Sequence, residues 1–123
     1  MKGCLIAVLS IAAIAVAIEW NWSAETPPPG YGGDPQRGRA MAERYGCPAC
    51  HVIPGLAPRG EVGPALDDVG TRSIIAGHFP NRPIEMAEWI RHPQEMKPGT
   101  LMPDTGVGER DARDIAAFLA TLR

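Results

Sequence analysis

The clearest hydrophobic pattern lies near the C-terminal end of the chain. Ile115, Phe118, Leu119 and Leu122 recur at the i, i+3, i+4, i+7 spacing of a helix with one apolar face. Acidic residues come just before this stripe, where they favour the positive end of a helix dipole. The pattern therefore predicts a core-facing helix from about Glu109 to Leu122.

Two further helices are predicted from their boundary residues. Asp34 and Pro35 offer a capping side chain and a first-turn proline, so a helix is expected from there to Gly46. Prolines also frame Ile84–Arg91, which is predicted as a short helix. Ser73–Gly77 is expected to add one helical turn.

The rest of the pattern favours an all-α fold. No segment alternates between apolar and polar residues over five or more positions, so we expect no sheet. Long loops rich in proline and glycine are predicted at 52–72 and 92–108, and loops of this length in a small domain need something to wrap around. We expect three to five helices that enclose a metal, a disulfide or a cofactor.

The N-terminus carries a different kind of hydrophobic segment. Residues 4–18 form an apolar run with a single polar member, so residues 1–22 are predicted to be an export segment. Ala15–Ala17 resembles a signal-peptide cleavage site, whereas Trp20 and Trp22 would suit the interface of a retained anchor. Both alternatives put the domain on the periplasmic side of the membrane, either soluble or anchored.

Composition and charge refine this outline. Residues 23–33 are rich in proline and glycine and are predicted to be a linker, which leaves 34–123 as the domain. Twelve basic residues against fourteen acidic ones give a net charge of −2, and no basic patch is evident. A nucleic-acid partner is therefore not expected.

One short motif carries chemistry. Cys47, Cys50 and His51 form the CxxCH signature of covalent haem attachment. On a helical turn the two thiols project from one side and can form thioethers at one haem edge. The adjacent imidazole can then reach the iron, so the motif predicts one haem c held by Cys47 and Cys50.

Three other uses of the cysteine pair stay open from the residues alone. Zinc would need further paired Cys or His ligands, and the two remaining histidines, His78 and His92, are not paired. A structural disulfide would leave the long loops without a core. An exported thiol–disulfide oxidoreductase using Cys47 and Cys50 is the main functional alternative, although no strand is predicted before the pair.

The sixth ligand of such an iron must come from another part of the chain. Met102 lies between Pro98 and Pro103 in a stiff loop that could present its side chain inward, which makes it the preferred candidate. The full set of candidates is Met41, Met86, Met96, Met102, His78 and His92.

In order along the chain, these motifs resemble class I c-type cytochromes over about 34–123. The resemblance rests on a first helix leading into CxxCH, then Gly63–Leu66, Trp89, Pro98–Pro103 and a last helix. Ile75–His78, Trp89–Gln94 and Lys97–Pro103 are more closely similar to the cytochrome c domains fused to subunit II of haem-copper oxidases, and to their free-standing relatives.

The resemblance implies a cytochrome c fold around one haem, with His51 and Met102 as the axial ligands. It also implies that the carbonyl of Pro64 orients His51 and that Trp89 binds a haem propionate. Arg72 is a further candidate for a propionate partner, with plain solvation as the alternative. Gly38 and Tyr45 are expected where the first helix crosses the last.

These expectations lead to a function. A haem with both axial positions filled leaves no open site for a substrate, so the protein is predicted to be an electron carrier and not an enzyme, either on its own or as a subunit of a larger oxidoreductase complex. The expected donor is a quinol–cytochrome c reductase and the expected acceptor a terminal oxidase, with the membrane as a further partner if the N-terminal segment is retained.

Overall fold

A computed structural model describes residues 28–123, and the predicted export segment 1–22 and residues 23–27 of the predicted linker lie outside them. The helices in the described part are α1 (Pro35–Arg44), α2 (Pro83–Arg91), α3 (Pro93–Met96) and α4 (Glu109–Leu119). Short 3-10 turns span Cys47–Ala49 and Val69–Thr71, and two-residue strands span Ile74–Ile75 (β1) and Phe79–Pro80 (β2). None of the helices formed by residues 28–123 has the length and apolar character to cross a membrane. The predicted all-α architecture is confirmed.

Helix α1 begins as its first residues predict. The Asp34 carboxylate accepts hydrogen bonds from the backbone N–H groups of Gln36 and Arg37 at 2.9 and 3.1 Å. Pro35, at the first helical position, has no N–H that would need a partner. The helix stops before Gly46, whose φ of 76° is in the left-handed region that favours glycine. This reversal directs the chain straight into the cysteine motif.

Helices α1 and α4 cross at very short range. A Cβ on Gly38 would lie 1.9 Å from the carbonyl oxygen of Asp114, so only glycine allows the two backbones to approach this closely. The crossing is also held by polar groups, because Tyr45 donates to Asp111 at 2.7 Å and Arg37 pairs with both aspartates. The predicted contact of Gly38 and Tyr45 with the last helix is confirmed.

The core lies between α1, α2 and α4. The predicted stripe on α4 is confirmed, since Ile115, Phe118 and Leu119 are all buried. Helix α4 ends at Leu119 and not at Leu122. Beyond the helix, the backbone carbonyl of Leu122 accepts a hydrogen bond of 2.8 Å from the N–H of Gly70, in the 3-10 turn at Val69–Thr71. The buried apolar residues of the described part include Ala42, Ile53, Leu56, Val69, Ile75, Met86, Ala87, Ile90, Val107, Ala112 and Ala116.

The expectation of no sheet was wrong at one place, and so was the helical turn expected at Ser73–Gly77. Strands β1 and β2 pair antiparallel, with Ile75 opposite Phe79. The turn between them has positive φ at both Ala76 and Gly77, which reverses the chain tightly. Strands of two residues are too short for any alternating pattern to appear in the sequence.

Part of the predicted linker is packed onto the domain. Tyr31 is buried among the core residues, and a Cβ on Gly33 would lie 2.4 Å from the carbonyl oxygen of Arg113. The packed structure therefore includes residues before the expected boundary at Asp34. A single aromatic residue within a proline- and glycine-rich stretch gives no periodic signal of this contact.

Candidate haem site

The cysteine motif folds as one tight turn directly after α1. The backbone N–H groups of Cys50 and His51 both donate to the carbonyl of Cys47, at 3.2 and 3.0 Å. This turn brings the two thiols and the imidazole into one short segment, as the CxxCH spacing predicts. Both cysteines are half-buried and neither forms a disulfide in the structure.

The following loop lies against this turn. Gly60 N–H donates to the carbonyl of Pro48 at 2.9 Å, and a Cβ on Gly60 would be 2.0 Å from the carbonyl oxygen of Ala49. Gly63 N–H then donates to the carbonyl of Cys50 at 2.8 Å. Backbone hydrogen bonds thus hold the loop predicted at 52–72 against the motif. They place Pro64 beside His51.

His51 is oriented by that proline. Its Nδ1 lies 2.7 Å from the carbonyl oxygen of Pro64. A carbonyl can only accept, so Nδ1 carries the proton and Nε2 keeps the lone pair that a metal needs. Gly63 packs directly on the ring, since a Cβ there would lie 2.4 Å from Cε1.

A cavity of about 650 Å³ opens beside the motif. This volume lies within the usual range for a cofactor or small-molecule site. All six residues predicted for the site line it, namely Cys47, Cys50, His51, Pro64, Trp89 and Met102. Its apolar wall includes Ile53, Leu66, Val69, Ile75, Met86, Ile90, Ile115 and Leu119.

The lining of the cavity distinguishes between the candidates for a sixth ligand. Met86 and Met102 line it, whereas Met41, Met96, His78 and His92 are not among its lining residues. Met86 is buried within helix α2 and packs in the core, as expected for a residue that fills space. Met102 is half-buried in the loop between α3 and α4.

The charges at the cavity have one sign. Its charged lining residues are Arg72 and Lys97, and no Asp or Glu lines it. The guanidinium of Arg72 donates to the carbonyl of Ala65 at 2.7 Å and pairs with Asp68, and Lys97 Nζ donates to the carbonyl of Ala76 at 2.9 Å. A large apolar cavity with two cations suits an apolar group that carries carboxylates, which is the chemistry of haem with its propionates.

Sequence reasoning did not identify Lys97 as part of this site. The residue opens the proline-containing segment before Met102, and its ammonium reaches across to the β1–β2 turn. A lone lysine in a loop has no spacing signature, so only the fold reveals that it lines the cavity. Trp89 also lies close to this hairpin, with its ring centroid 6.0 Å from that of Phe79 in β2.

The other uses of the cysteines find no support in this geometry. Within residues 28–123, no cluster of three or more His, Cys, Asp or Glu side chains could hold a metal, so zinc has no ligand set there. Burial raises the pKa of the Cys47 thiol, with a smaller contribution from Cys50. Reactive cysteines usually have a lowered pKa, which is the opposite shift.

Comparison with known proteins agrees with the fold and the site. The family model described as "Cytochrome c" matches residues 35–123, so the chain belongs to the cytochrome c family, as a class I c-type cytochrome. It is an electron-transfer haem protein, and membership of this family implies a covalently bound haem.

The chain is also similar to one subunit of a respiratory enzyme. It is 34% identical over 88 residues to cytochrome c oxidase subunit 2 of Alkalihalophilus pseudofirmus (strain ATCC BAA-2126 / JCM 17055 / OF4). The match covers 71% of this chain but about a quarter of that relative (25%). The predicted class of protein and its resemblance to oxidase subunit II are both confirmed.

Proposed function

We propose that this chain is a monohaem electron carrier in which Cys47 and Cys50 hold one haem through thioethers, and His51 and Met102 are the iron ligands. The observation that carries the proposal is the convergence of all four side chains on one cavity of about 650 Å³. When bound, the haem supplies a one-electron iron couple.

The protein's own groups set the properties of that couple. The Pro64 carbonyl fixes the imidazole of His51 and leaves Nε2 free to ligate. The thioether of Met102 is a soft neutral ligand, which favours ferrous iron and raises the potential. The apolar wall acts in the same direction because it disfavours the extra charge of ferric iron. With His51 and Met102 both bound to the iron, no position would remain for a substrate, so the haem would supply electron transfer and not substrate turnover.

Arg72 and Lys97 are proposed to face the haem propionates, together with the indole N–H of Trp89. The two cations are the charged residues that line the cavity, and an indole N–H is a donor that a buried site must satisfy. Their positive charge would offset two carboxylates that the apolar wall cannot solvate.

The intact mass of the protein and its absorbance spectrum together test whether the haem is covalently attached. The intact mass of the purified protein should exceed that of the polypeptide by one haem, and the Soret band should stay with the polypeptide after acid–acetone extraction. Replacing both Cys47 and Cys50 with Ala should make the haem extractable. A colourless wild-type protein with a reducible Cys47–Cys50 disulfide would instead support the thiol–disulfide oxidoreductase alternative.

The proposed partners are respiratory, with a quinol–cytochrome c reductase as donor and a terminal oxidase as acceptor. This is supported by the similarity to a cytochrome c oxidase subunit 2. A location on the periplasmic side of the membrane follows from the same partners, with residues 1–22 either retained as an anchor or removed. The intact mass of exported protein distinguishes these two forms.

The mouth of the cavity offers a face for such partners. Val62, Ile74 and Leu101 are large apolar residues that line the cavity and yet are 65%, 52% and 81% exposed. Exposed apolar groups gathered at one opening are typical of a surface that contacts another protein. We propose that redox partners dock here through apolar contact with residues that line the haem cavity.

A further inference from the structure

The loop that carries Met102 has little burial of its own. Lys97, Pro98, Gly99, Leu101 and Pro103 are all exposed. Gly99 has a φ of 83°, which turns the chain here. A Cβ at Gly99 would meet no atom within 4 Å, so nothing packs against this position. A loop of this kind needs polar contacts to hold its backbone in one place.

Gln94 supplies such contacts from helix α3. Its side-chain Nε2 donates to the carbonyl of Thr100 at 2.7 Å and to the carbonyl of Met102 at 2.9 Å. One amide nitrogen thus uses its two hydrogens on two carbonyls, one on each side of the exposed Leu101. Both bonds are partly buried, which shields them from exchange with water.

The two hydrogen bonds from the Gln94 side chain, here called the Gln94 clamp, come from a rigid part of the fold. Gln94 follows Pro93, which is one of the most deeply buried side chains of the described part and anchors the start of α3. The backbone of α3 is fixed further by bonds from Met96 N–H to His92 O at 3.0 Å and from Lys97 N–H to Pro93 O at 2.9 Å. The two hydrogen bonds from Gln94 therefore join an exposed segment to a packed one.

We propose that Gln94 is a positioning residue that holds Met102 in place as the iron ligand by fixing the carbonyls of residues 100 and 102. This inference rests on the proposed ligation by Met102. The peptide groups on both sides of Leu101 determine where the Met102 side chain begins, so their orientation decides whether its sulfur stays in the cavity. Without the clamp, the loop gains freedom and the sulfur leaves the iron more often.

Competition by imidazole measures how firmly the Met102 sulfur is held at the iron. Added imidazole displaces the sulfur from ferric iron, and the long-wavelength charge-transfer band of iron–thioether ligation reports the exchange. Two hydrogen bonds of the usual strength predict that Gln94→Ala binds imidazole about 5- to 150-fold more tightly than wild type. Its midpoint potential should also fall, because the ferrous-favouring ligand is held less firmly.

Two further variants separate hydrogen bonding from packing. Gln94→Glu keeps nearly the same shape, but its carboxylate can only accept and would face two carbonyl oxygens, so this variant should bind imidazole at least as tightly as Gln94→Ala. Glu95→Ala changes the neighbouring exposed residue on the same helix and should behave as wild type. If either Gln94 variant folds with wild-type imidazole affinity and an intact charge-transfer band, the inference is overturned.

Met102→Ala, measured in parallel, distinguishes failure of this inference from failure of the proposed ligation. If Met102→Ala abolishes the band while Gln94→Ala does not weaken it, the ligation stands and the positioning role fails. If Met102→Ala leaves the band unchanged, the proposed ligand itself is wrong, and the inference falls with it.

Discussion

His51 and Pro64 are joined by a hydrogen bond of 2.7 Å from the imidazole Nδ1 to the proline carbonyl oxygen. Thirteen positions separate the two residues in the chain, and the glycine-bearing loop between them brings them together. Gly63 makes this approach possible, since it lies flat against the imidazole ring. The ring is therefore held by a hydrogen bond at one nitrogen and by backbone packing on its face, which leaves Nε2 directed to other partners.

A side chain at position 63 should disturb this arrangement. Gly63→Ser places a Cβ 2.4 Å from the imidazole, so the ring or the loop must move, at a cost of about 1–3 kcal/mol. We expect a lower free energy of unfolding in urea titrations and less haem bound per protein. Gly108→Ser is the matched control, because its Cβ would enter open space at a position where serine is a good helix cap. Equal stability of the two variants would contradict the packing argument.

The close crossing of α1 and α4 predicts an effect opposite to helix propensity. Gly38→Ala would ordinarily stabilise a helix by about 0.5–1 kcal/mol. The added Cβ would, however, lie 1.9 Å from Asp114 O, and forcing two backbones apart costs about 1–3 kcal/mol or more. We expect a net loss of stability in thermal and urea unfolding. Ala40→Gly, on the exposed face of the same helix, should show the ordinary propensity loss alone.

Removal of the proposed sixth ligand should leave the haem attached. Met102→Ala changes neither the thioethers nor His51, so the Soret band should remain while the charge-transfer band near the red end of the spectrum disappears. The midpoint potential should fall, and ferrous protein should bind carbon monoxide rapidly. Met96→Ala is the control, since Met96 does not line the cavity. Loss of the band in Met96→Ala or His92→Ala, and not in Met102→Ala, would assign the ligand elsewhere.

The helices and the site motif could be predicted from sequence because each has a local signal. Asp34 and Pro35 mark the start of α1, the stripe through Ile115 and Leu119 marks α4, and CxxCH needs only five residues. The β1–β2 hairpin and α3 were missed because segments of two and four residues are shorter than any period that reveals them. The clamp from Gln94 was also missed, because side-chain bonds to backbone carbonyls depend on where the loop folds back.

The Tyr45–Asp111 pair predicts a specific dependence of stability on pH. Hydrogen bonds from Tyr45 and then from Arg37 lower the pKa of Asp111 below its ordinary value of 3.8. The bond to Asp111 raises the pKa of Tyr45 above its ordinary value of 10.0. The aspartate's contribution is present above 3.8 and is lost as pH falls through its lowered pKa, and the tyrosine's contribution is present below 10.0 and is lost as pH rises through its raised pKa.

Tyr45→Phe should therefore unfold more easily than wild type between these limits, and the difference should shrink at both extremes of pH. Urea titrations at a series of pH values from 7 down to 2 measure the acid side. Tyr31→Phe is the matched control, because the pKa of Tyr31 is raised by burial alone and involves no carboxylate. A Tyr45→Phe deficit of the same size throughout the pH series would show that the hydroxyl acts through packing instead.

The apolar mouth of the cavity predicts how partners dock. Leu101→Glu places a charge on a side chain that is 81% exposed, so the fold and the charge-transfer band should be kept. Because Leu101 lines the cavity, the carboxylate should favour ferric iron and lower the midpoint potential, which on its own would speed and not slow electron transfer to an oxidase. Electron transfer to an oxidase should slow, because the carboxylate must be desolvated when the partner covers the mouth.

Ile84→Glu is the matched control, since Ile84 is 76% exposed but does not line this cavity. Stopped-flow oxidation at two salt concentrations checks the mechanism, because apolar docking by wild type should depend little on salt. Equal rates for both variants and wild type would place the docking face elsewhere on the molecule.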